Sequence, residues 1–217
     1  MEKNEILEKL AKAVIDGEPE DAEALAKQAV ELGLDPLECI TDGLTVGIQK
    51  VGELFSTGEY FLPELIIGAE AMKQALEILE PALVGDQKRE VIATVVLGTV
   101  AGDLHEIGKT LVGTMLTANG FRVVDIGVDQ PADAFIQAIN ESGATIVGAS
   151  ALLTTTMLQQ EKLIQALEDA NLRSQVKVMV GGAPVTASYA AKIGADGYAE
   201  DAISAVSLAM RLADAPA

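Results

Sequence analysis

In the first ninety residues, hydrophobic side chains recur every three to four positions, which is the spacing of one face of an α-helix. Ile6, Leu10 and Val14 begin this pattern. Asp35-Pro36 has the residue types of a helix N-cap followed by proline at the first helical position. The pattern divides into four amphipathic segments: residues 6–14, 19–33, 35–55 and 63–79. Four such helices with short connections predict a small helical bundle.

After Pro81–Glu90, which has the character of a linker, the period changes. Short runs rich in β-branched residues alternate with helical stretches, and this alternation is typical of a parallel sheet with helices on both faces. The predicted strands are Val91–Leu97, Phe121–Ile126, Ala144–Ala149, Val176–Val180 and Gly197–Ala199. The predicted helices are Ile107–Ala118, Ala132–Ser142, Thr155–Ala170, Ala187–Ile193 and Ala202–Leu212.

Five strands fit the flavodoxin-like, or Rossmann-like, order 2-1-3-4-5. The sequence therefore predicts an α/β protein in two domains. A four-helix bundle over residues 1–86 precedes a five-stranded parallel sheet domain over residues 87–217.

Composition narrows the function classes. Of 217 residues, 33 are acidic and 15 are Lys or Arg, which gives a net charge of −18. A surface this acidic repels phosphate backbones and counts against nucleic-acid binding. Residues 1–90 hold 20 acidic and 8 basic side chains, so they form either a solvated helical surface or a docking face for a basic partner.

No targeting or membrane segment is apparent in the sequence. The N-terminus lacks the apolar region of a signal peptide, and the longest apolar stretch, about Val91 to Gly102, is too short to span a bilayer. We therefore expect a cytoplasmic protein that does not enter a membrane. The chain has one cysteine, Cys39, and one histidine, His105. An internal disulfide is excluded, and a zinc or iron site with several such ligands is not expected.

The unusual residues converge on one edge of the predicted sheet. Ligands of open parallel sheets bind beyond the carboxyl ends of the strands, at the point where the strand order reverses. Asp103 and His105 follow the first strand, and Ser150 follows the third. The fourth strand ends in Gly181-Gly182. The topology alone predicts that these residues share one site.

The local spacing leaves two interpretations open. In the first, His105 is an ordinary loop histidine, Asp103 caps the next helix with Glu106 completing a capping box, and the double glycine forms an ordinary turn. In the second, His105 binds a metal whose other four nitrogen ligands come from a macrocycle. Asp103 then accepts the second ring N–H of His105, and Ser150 hydrogen-bonds that carboxylate in turn.

Three short motifs lie at these strand ends: Asp103-x-His105-x-x-Gly108, then Ser150-x-Leu152 after 41 residues, then Gly181-Gly182 after 28 more. Together they resemble the cobalamin-binding signature shared by cobalamin-dependent methionine synthase, corrinoid methyltransferase proteins and several mutases. The resemblance implies that cobalamin binds base-off and histidine-on, with its dimethylbenzimidazole displaced and His105 as the lower axial ligand of cobalt. It further implies a slot for the nucleotide tail lined by Gly108, Ser150, Leu152, Gly181 and Gly182. His105, Asp103 and Ser150 would form a relay that takes up a proton when cobalt releases the imidazole.

The helical half favours one branch of this family. Methyltransferase corrinoid proteins carry a helical cap before the cobalamin module, whereas mutase modules generally do not. Residues 51–55 and 59–65 resemble that cap. By this resemblance Phe55 and Leu62 shield the methyl group on cobalt; alternatively, both are core residues of the bundle. Thr154 hydrogen-bonds the corrin or its tail by the same resemblance, or caps a helix.

The resemblance implies a methyl carrier that is itself a non-catalytic component. It would accept a methyl group on cobalt from a substrate-specific methyltransferase, with methylcobalamin as the loaded form. It would deliver the group to a second methyltransferase that acts on tetrahydrofolate or coenzyme M, cycling between Co(I) and methyl-Co(III). A reductive activase is a further expected partner, and Pro81–Glu90 is the expected hinge for movement of the cap. The alternatives are the cobalamin-binding subunit of an adenosylcobalamin mutase, and a cobalamin sensor or storage protein.

Overall fold

The structure, a computed structural model, describes residues 3–83 and 91–214, and the chain divides into two compact units, residues 1–90 and 91–217. The helices of the first unit are α1 (Lys3–Asp16), α2 (Pro19–Glu31), α3 (Pro36–Glu38), α4 (Thr45–Ser56) and α5 (Leu62–Leu79). A 3-10 helix, Glu80–Ala82, follows. Residues 84–90 of the predicted linker lie outside the described part of the chain, so the hinge remains a prediction.

The core of the helical unit forms where the apolar faces of its helices meet. Ile6, Leu10 and Val14 of α1 are completely buried, which confirms the first repeat as a core-facing stripe. Each fully buried side chain of this size contributes about 1.5–3 kcal/mol to folding. The cap at Asp35 is also present, because its carboxylate accepts a hydrogen bond from the Leu37 N–H at 2.9 Å.

The third helical repeat departs from a regular α-helix. Between α3 and α4, residues Cys39–Leu44 form a π-helix, closed by a hydrogen bond from the Thr45 N–H to the Ile40 carbonyl. This wider turn packs closely on α1, since a Cβ added to Gly43 would lie 3.2 Å from Cβ of Leu10. Cys39 is buried in this segment, and burial raises the pKa of its thiol.

The second unit is a five-stranded parallel sheet with helices on both faces. Its strands are β1 (Thr94–Thr99), β2 (Arg122–Asp125), β3 (Ile146–Ser150), β4 (Lys177–Gly181) and β5 (Gly197–Ala199), in the order β2-β1-β3-β4-β5. Its helices are α6 (Ile107–Ala118), α7 (Ala132–Ser142), α8 (Leu158–Asp169), α9 (Ala187–Ile193) and α10 (Ala202–Asp214). The predicted fold class and strand order are confirmed.

In the α/β unit, two element starts differ from the sequence prediction by three residues, and the other differing boundaries are displaced by one or two. β1 begins at Thr94 rather than Val91, and the side chains of Val91 and Ile92 are exposed, so hydrophobicity alone extended the predicted strand too far. α8 begins at Leu158 rather than Thr155, because Thr156 belongs to a turn in which its N–H bonds the Leu153 carbonyl.

An ion pair between a buried lysine and an exposed aspartate fastens α6 to the sheet. The ammonium group of Lys109, in the first turn of α6, donates to Asp125 at the end of β2, and no part of the lysine side chain is exposed. The other carboxylate oxygen of Asp125 accepts from the Gly127 N–H at 2.8 Å. Within the described part of the chain, no helix combines the length and the apolar character that crossing a membrane requires.

Candidate functional site

The strand register brings the ends of three strands into one row. Thr99 of β1 pairs with Ser150 of β3, and Ser150 pairs with Gly181 of β4. The loops that leave this row carry the three sequence motifs. The sheet therefore brings together at one edge the motifs that are separated by 41 and 28 residues in the sequence.

The loop after β1 is held by hydrogen bonds at several points. Gly102 has φ +80°, which favours glycine, and its N–H donates to the Asp129 carboxylate at 2.6 Å. The Asp129 N–H donates to the Asp103 carbonyl at 2.9 Å. The buried Thr99 hydroxyl donates to the His105 carbonyl, also at 2.9 Å. These bonds fix the backbone on both sides of Asp103.

Asp103 is completely buried, and both of its carboxylate oxygens are hydrogen-bonded. Oδ1 accepts from the His105 N–H at 3.1 Å and lies 2.6 Å from Nδ1 of the His105 ring. Oδ2 accepts from the Leu152 N–H at 2.7 Å and from the Thr156 hydroxyl at 2.6 Å. The carboxylate thus joins the loop after β1 to the loop after β3.

These donors determine the charge state of Asp103. Burial by itself raises the pKa of the carboxyl group, because it penalises the charged form. The hydrogen bonds from Thr156, Leu152 and His105 outweigh burial and hold the pKa of Asp103 well below its ordinary value. At neutral pH the site therefore contains a buried, fully hydrogen-bonded carboxylate.

The His105 ring is oriented by this carboxylate and remains open to solvent. Its side chain is 51% exposed. Because a carboxylate accepts at Nδ1, the ring proton is assigned to Nδ1, and the lone pair of Nε2 is free to bind a metal. The described residues contain no group of three His, Cys, Asp or Glu side chains that could hold a metal ion, so His105 is considered as a single protein ligand.

The capping interpretation of Asp103 does not match the local structure. α6 begins at Ile107, its N-cap is Glu106, and the N-cap side chain makes no capping hydrogen bond. The Asp103 carboxylate bonds instead to the N–H two residues ahead, which is an Asx turn within the loop.

Thr156 is the site residue that sequence reasoning missed. Ser150 lies in the strand-end row as expected, but the hydroxyl that donates to Asp103 is that of Thr156. Thr156 is buried, whereas Thr154 and Thr155 are exposed. Three consecutive threonines give no periodic signal in the sequence to show which of them faces the carboxylate.

The motif glycines serve different purposes. A Cβ on Gly182, whose φ is +119°, would lie 1.8 Å from the Ala151 carbonyl oxygen, and one on Gly181 would lie 2.9 Å from the Ala199 carbonyl oxygen. These two glycines therefore let the end of β4 approach the backbone at Ala151 and at Ala199 more closely than a residue with a side chain could. A Cβ on Gly108 would meet nothing within 4 Å, so this position faces open space beside His105.

Exposed apolar side chains lie on the two loops that Asp103 joins. Leu104 is 72% exposed and Ile107 75%, and Leu152 and Leu153 after β3 are also exposed. Large apolar side chains grouped in this way are uncommon unless a ligand or partner covers them. One free nitrogen ligand, one open glycine and an apolar rim fit a metal held by a large, partly apolar macrocycle.

In the helical unit, the two predicted shielding residues are not fully buried. Phe55 near the end of α4 is half-buried, and Leu62 at the start of α5 is 44% exposed. Ile66, one turn after Leu62, is exposed as well. Leu62 is therefore not a core residue of the bundle.

Comparison with known proteins identifies the family to which the chain belongs. A family model described as a B12 binding domain matches residues 93–207, and a second model with the same description matches residues 6–80. A corrinoid protein of Desulfitobacterium hafniense is 46% identical over 95% of this chain and 97% of its own length. The trimethylamine corrinoid protein of Methanosarcina barkeri is 44% identical over 94% of each chain.

Solved structures of cobalamin-binding proteins also match this chain over most of its length. The methanol:cobalamin methyltransferase complex MtaBC from Methanosarcina barkeri matches with a TM-score of 0.86 and 31% identity, over 98% of this chain and 81% of that chain. A cobalamin-binding protein from Desulfitobacterium hafniense matches with a TM-score of 0.77 and 34% identity, over 95% and 98%. The sequence motifs, the sheet topology and these matches together place the chain in the B12-binding family of corrinoid proteins.

Proposed function

We propose that this chain is a corrinoid methyl carrier of a methyltransferase system. Relatives that match nearly its whole length are named as trimethylamine and dimethylamine corrinoid proteins. The related solved complex is a methanol:cobalamin methyltransferase. The chain takes its methyl group from a substrate-specific methyltransferase and gives it to a second methyltransferase that acts on tetrahydrofolate or coenzyme M. A reductive activase restores the carrier after accidental oxidation.

The observation that carries the proposal is the His105–Asp103 pair. The carboxylate orients the ring through Nδ1, at 2.6 Å, and leaves Nε2 as the lower axial ligand of a cobalamin bound base-off. We assign to Asp103 the role of holding the ring proton in place, and to Ser150, at the end of β3, a place in the same relay. When bound, the corrinoid supplies the cobalt that accepts and releases the methyl group.

The remaining motif residues hold the cofactor. Gly108 leaves open space next to the histidine, and this space supports a path for the displaced nucleotide tail. We assign the slot to Gly108, Ser150, Leu152, Gly181 and Gly182, with Thr154 as a hydrogen-bonding residue. The exposed Leu152 adds apolar contact to the macrocycle.

The helical unit contributes shielding. Phe55 and Leu62 present apolar surface that keeps water and oxygen from the reactive cobalt. Leu62 and Ile66 are exposed in adjacent turns of α5, and their exposure supports this role because grouped apolar side chains are typical of a surface that a ligand or partner covers.

The ligation is tested by electron paramagnetic resonance. The protein is labelled with heavy nitrogen, reconstituted with hydroxocobalamin and reduced to Co(II). We expect hyperfine splitting from one labelled axial nitrogen, which is lost in His105→Ala. Glu106→Ala is the matched control, because Glu106 is exposed, adjacent and makes no capping bond. A spectrum with the cofactor's own base on cobalt in the wild type contradicts histidine ligation.

The carrier role is tested by methyl transfer. The loaded protein is mixed with candidate methyltransferases and free thiol or tetrahydrofolate acceptors, and demethylation is followed in the visible spectrum. Transfer that requires both the carrier and a methyltransferase supports the proposal. Binding of adenosylcobalamin with no transfer in any pairing favours the mutase-subunit, sensor or storage alternatives instead.

A further inference from the structure

A buried amide side chain lies against the strand ends of the candidate site. Gln160 belongs to the first turn of α8 and is completely buried. Its Nε2 donates to the Ala149 carbonyl of β3 at 2.8 Å and to the Gly181 carbonyl of β4 at 3.1 Å. One amide group is therefore bonded to two neighbouring strands. The residue lies outside the three sequence motifs.

The orientation of this amide follows from its partners. Both acceptors are carbonyl oxygens, so the amide nitrogen must face them. The amide oxygen, Oε1, is buried and has no hydrogen-bond partner among the described residues. A buried carbonyl without a donor is costly, and an apolar side chain of the same length would avoid that cost. The two bonds to the strands are thus the contribution that an apolar residue at position 160 could not make.

The two acceptor carbonyls lie where β3 and β4 stop pairing. Ser150 pairs with Gly181, and the Ala151 N–H donates to the same Gly181 carbonyl at 3.1 Å. Beyond this point the two chains leave the sheet as the loops that carry Ser150-x-Leu152 and Gly181-Gly182. The bonds from Gln160 therefore fix the separation of the two motif loops at their origin.

Gln160 reaches this point from the face of the sheet opposite α6. Successive residues of a strand face opposite sides. On β1, Leu97 faces α6, because a Cβ on Gly113 would lie 3.2 Å from its Cδ2. Val96 lies instead in the core cluster that includes Leu163 of α8. The amide is thus placed to position the motif loops, and not to contact a ligand that lies beside α6.

We propose that Gln160 is a positioning residue that sets the width of the slot for the nucleotide tail, an inference that rests on the cobalamin binding proposed above. The assigned slot has Ser150 and Leu152 on one loop and Gly181 and Gly182 on the other. An amide bonded to both strands keeps these loops at the separation that the tail requires. Loss of the amide weakens binding of the tail and leaves binding of the corrin ring unchanged.

The first test compares two corrinoids on the full-length, cofactor-free chain. Hydroxocobalamin carries the nucleotide tail, and diaquacobinamide lacks it. Equilibrium dialysis measures the affinity for each. In Gln160→Met, which keeps the length of the side chain and removes both bonds, the affinity for cobalamin falls about tenfold and that for cobinamide changes by less than about twofold. A packing defect alone would lower both affinities equally.

Gln165→Met is the matched control. It makes the same substitution in the same helix at an exposed position, and it leaves the ratio of the two affinities as in the wild type. Thermal unfolding of each variant establishes that the binding data come from folded protein. Gln160→Leu takes the place of Gln160→Met if the latter does not fold.

The second test needs no cofactor. Hydrogen exchange of the Ala151 amide, which bonds to the Gly181 carbonyl, becomes about tenfold faster in Gln160→Met. The Ile126 amide, which bonds to the Leu97 carbonyl between β2 and β1, keeps its wild-type rate. It shows whether loosening is confined to the ends of β3 and β4.

The outcomes separate this inference from the proposed function. Unchanged exchange at Ala151, or an equal change in affinity for the two corrinoids, overturns the role of Gln160 alone. A wild-type chain that binds neither corrinoid, or that binds cobalamin with the cofactor's own base on cobalt, overturns the proposed cobalamin site, and the slot with it.

Discussion

The two units use charged side chains in opposite ways. In the helical unit, ion pairs such as Lys27–Glu23 and Lys50–Glu53 join neighbouring turns of one helix and are largely exposed. Such pairs add at most about 1 kcal/mol to stability. In the α/β unit, Asp103 and Lys109 are buried, and each joins segments that are distant in sequence. In the helical unit these charged side chains mainly form a hydrated surface. In the α/β unit the buried charged side chains hold the loops of the candidate site in position.

The largest expected effect on stability is at Gly182, which lies against the backbone of Ala151 in the α/β unit. Gly182→Ala places a methyl group 1.8 Å from the Ala151 carbonyl oxygen at a φ of +119°. We expect a loss of more than about 4 kcal/mol of unfolding free energy, or failure of this unit to fold. Urea unfolding followed by circular dichroism measures it.

Gly143→Ala is the control for that substitution. Gly143 also has a positive φ, +67°, but its Cβ would meet nothing within 4 Å, so the cost should be only about 1 kcal/mol. Equal losses of unfolding free energy at the two positions would show that the positive φ alone, and not the close approach to Ala151, requires glycine at position 182.

The second effect concerns the buried carboxylate. Asp103→Asn removes the charge that four donors surround, and we expect a loss of about 3 kcal/mol at pH 7 in the cofactor-free protein. The pKa of Asp103 is depressed on folding, so this stabilisation is fully present above the ordinary Asp pKa of about 3.9 and is lost as the pH falls below it. The difference between variant and wild type should therefore shrink towards pH 3, as urea titrations at several pH values can measure.

A smaller effect on stability is expected at Asp129, whose carboxylate holds the loop after β1 through the Gly102 N–H. Asp129 has φ +54° and accepts from the Gly102 N–H. Asp129→Ala loses this bond and retains the strained backbone, at a cost of about 1–2 kcal/mol. Asp129→Asn keeps an acceptor and tolerates the left-handed region, so it should stay within about 0.5 kcal/mol of the wild type. Equal destabilisation by both substitutions would indicate that the negative charge itself is required.

The smallest effect on folding is expected in the helical unit. Leu62→Ala removes an apolar side chain that is already 44% exposed, and its effect on unfolding free energy should be about 0.5 kcal/mol or less. Under the proposed shielding role, it should nevertheless shorten the lifetime of the loaded cofactor in air. Val46→Ala, at an exposed position on α4, serves as the control. A lifetime equal to that of the wild type would argue against shielding by Leu62.

Much of the fold could be predicted because its signals are local. The change from a helical period to alternating strands and helices is visible in short windows, and it led to the five strands and their order. The convergence of Asp103, Ser150 and Gly181 on one edge followed from topology. Local signals did not identify the π-helix at Cys39–Leu44, where the chain packs closely against α1 at Gly43.

Details of the site were harder to predict for the same reason. The bond between Thr156 and Asp103 joins residues 53 positions apart, and that between Asp129 and Gly102 joins residues 27 positions apart. Such contacts depend on the exact path of a loop, which hydrophobic periodicity does not describe. The motifs located the site, and the structure was needed to show which hydroxyl reaches the carboxylate.

The ion pair between the buried Lys109 and Asp125 makes local unfolding of this unit measurable by proteolysis. The Lys109 side chain is not exposed and lies in the first turn of α6, one residue after the open Gly108. A lysine-specific protease can cut there only after the helix start has unwound and the ion pair has separated. Cleavage after Lys109 would therefore follow the population of locally unfolded molecules. A ligand that fastens the start of α6 should slow that cut more than cuts at the exposed lysines of the helical unit.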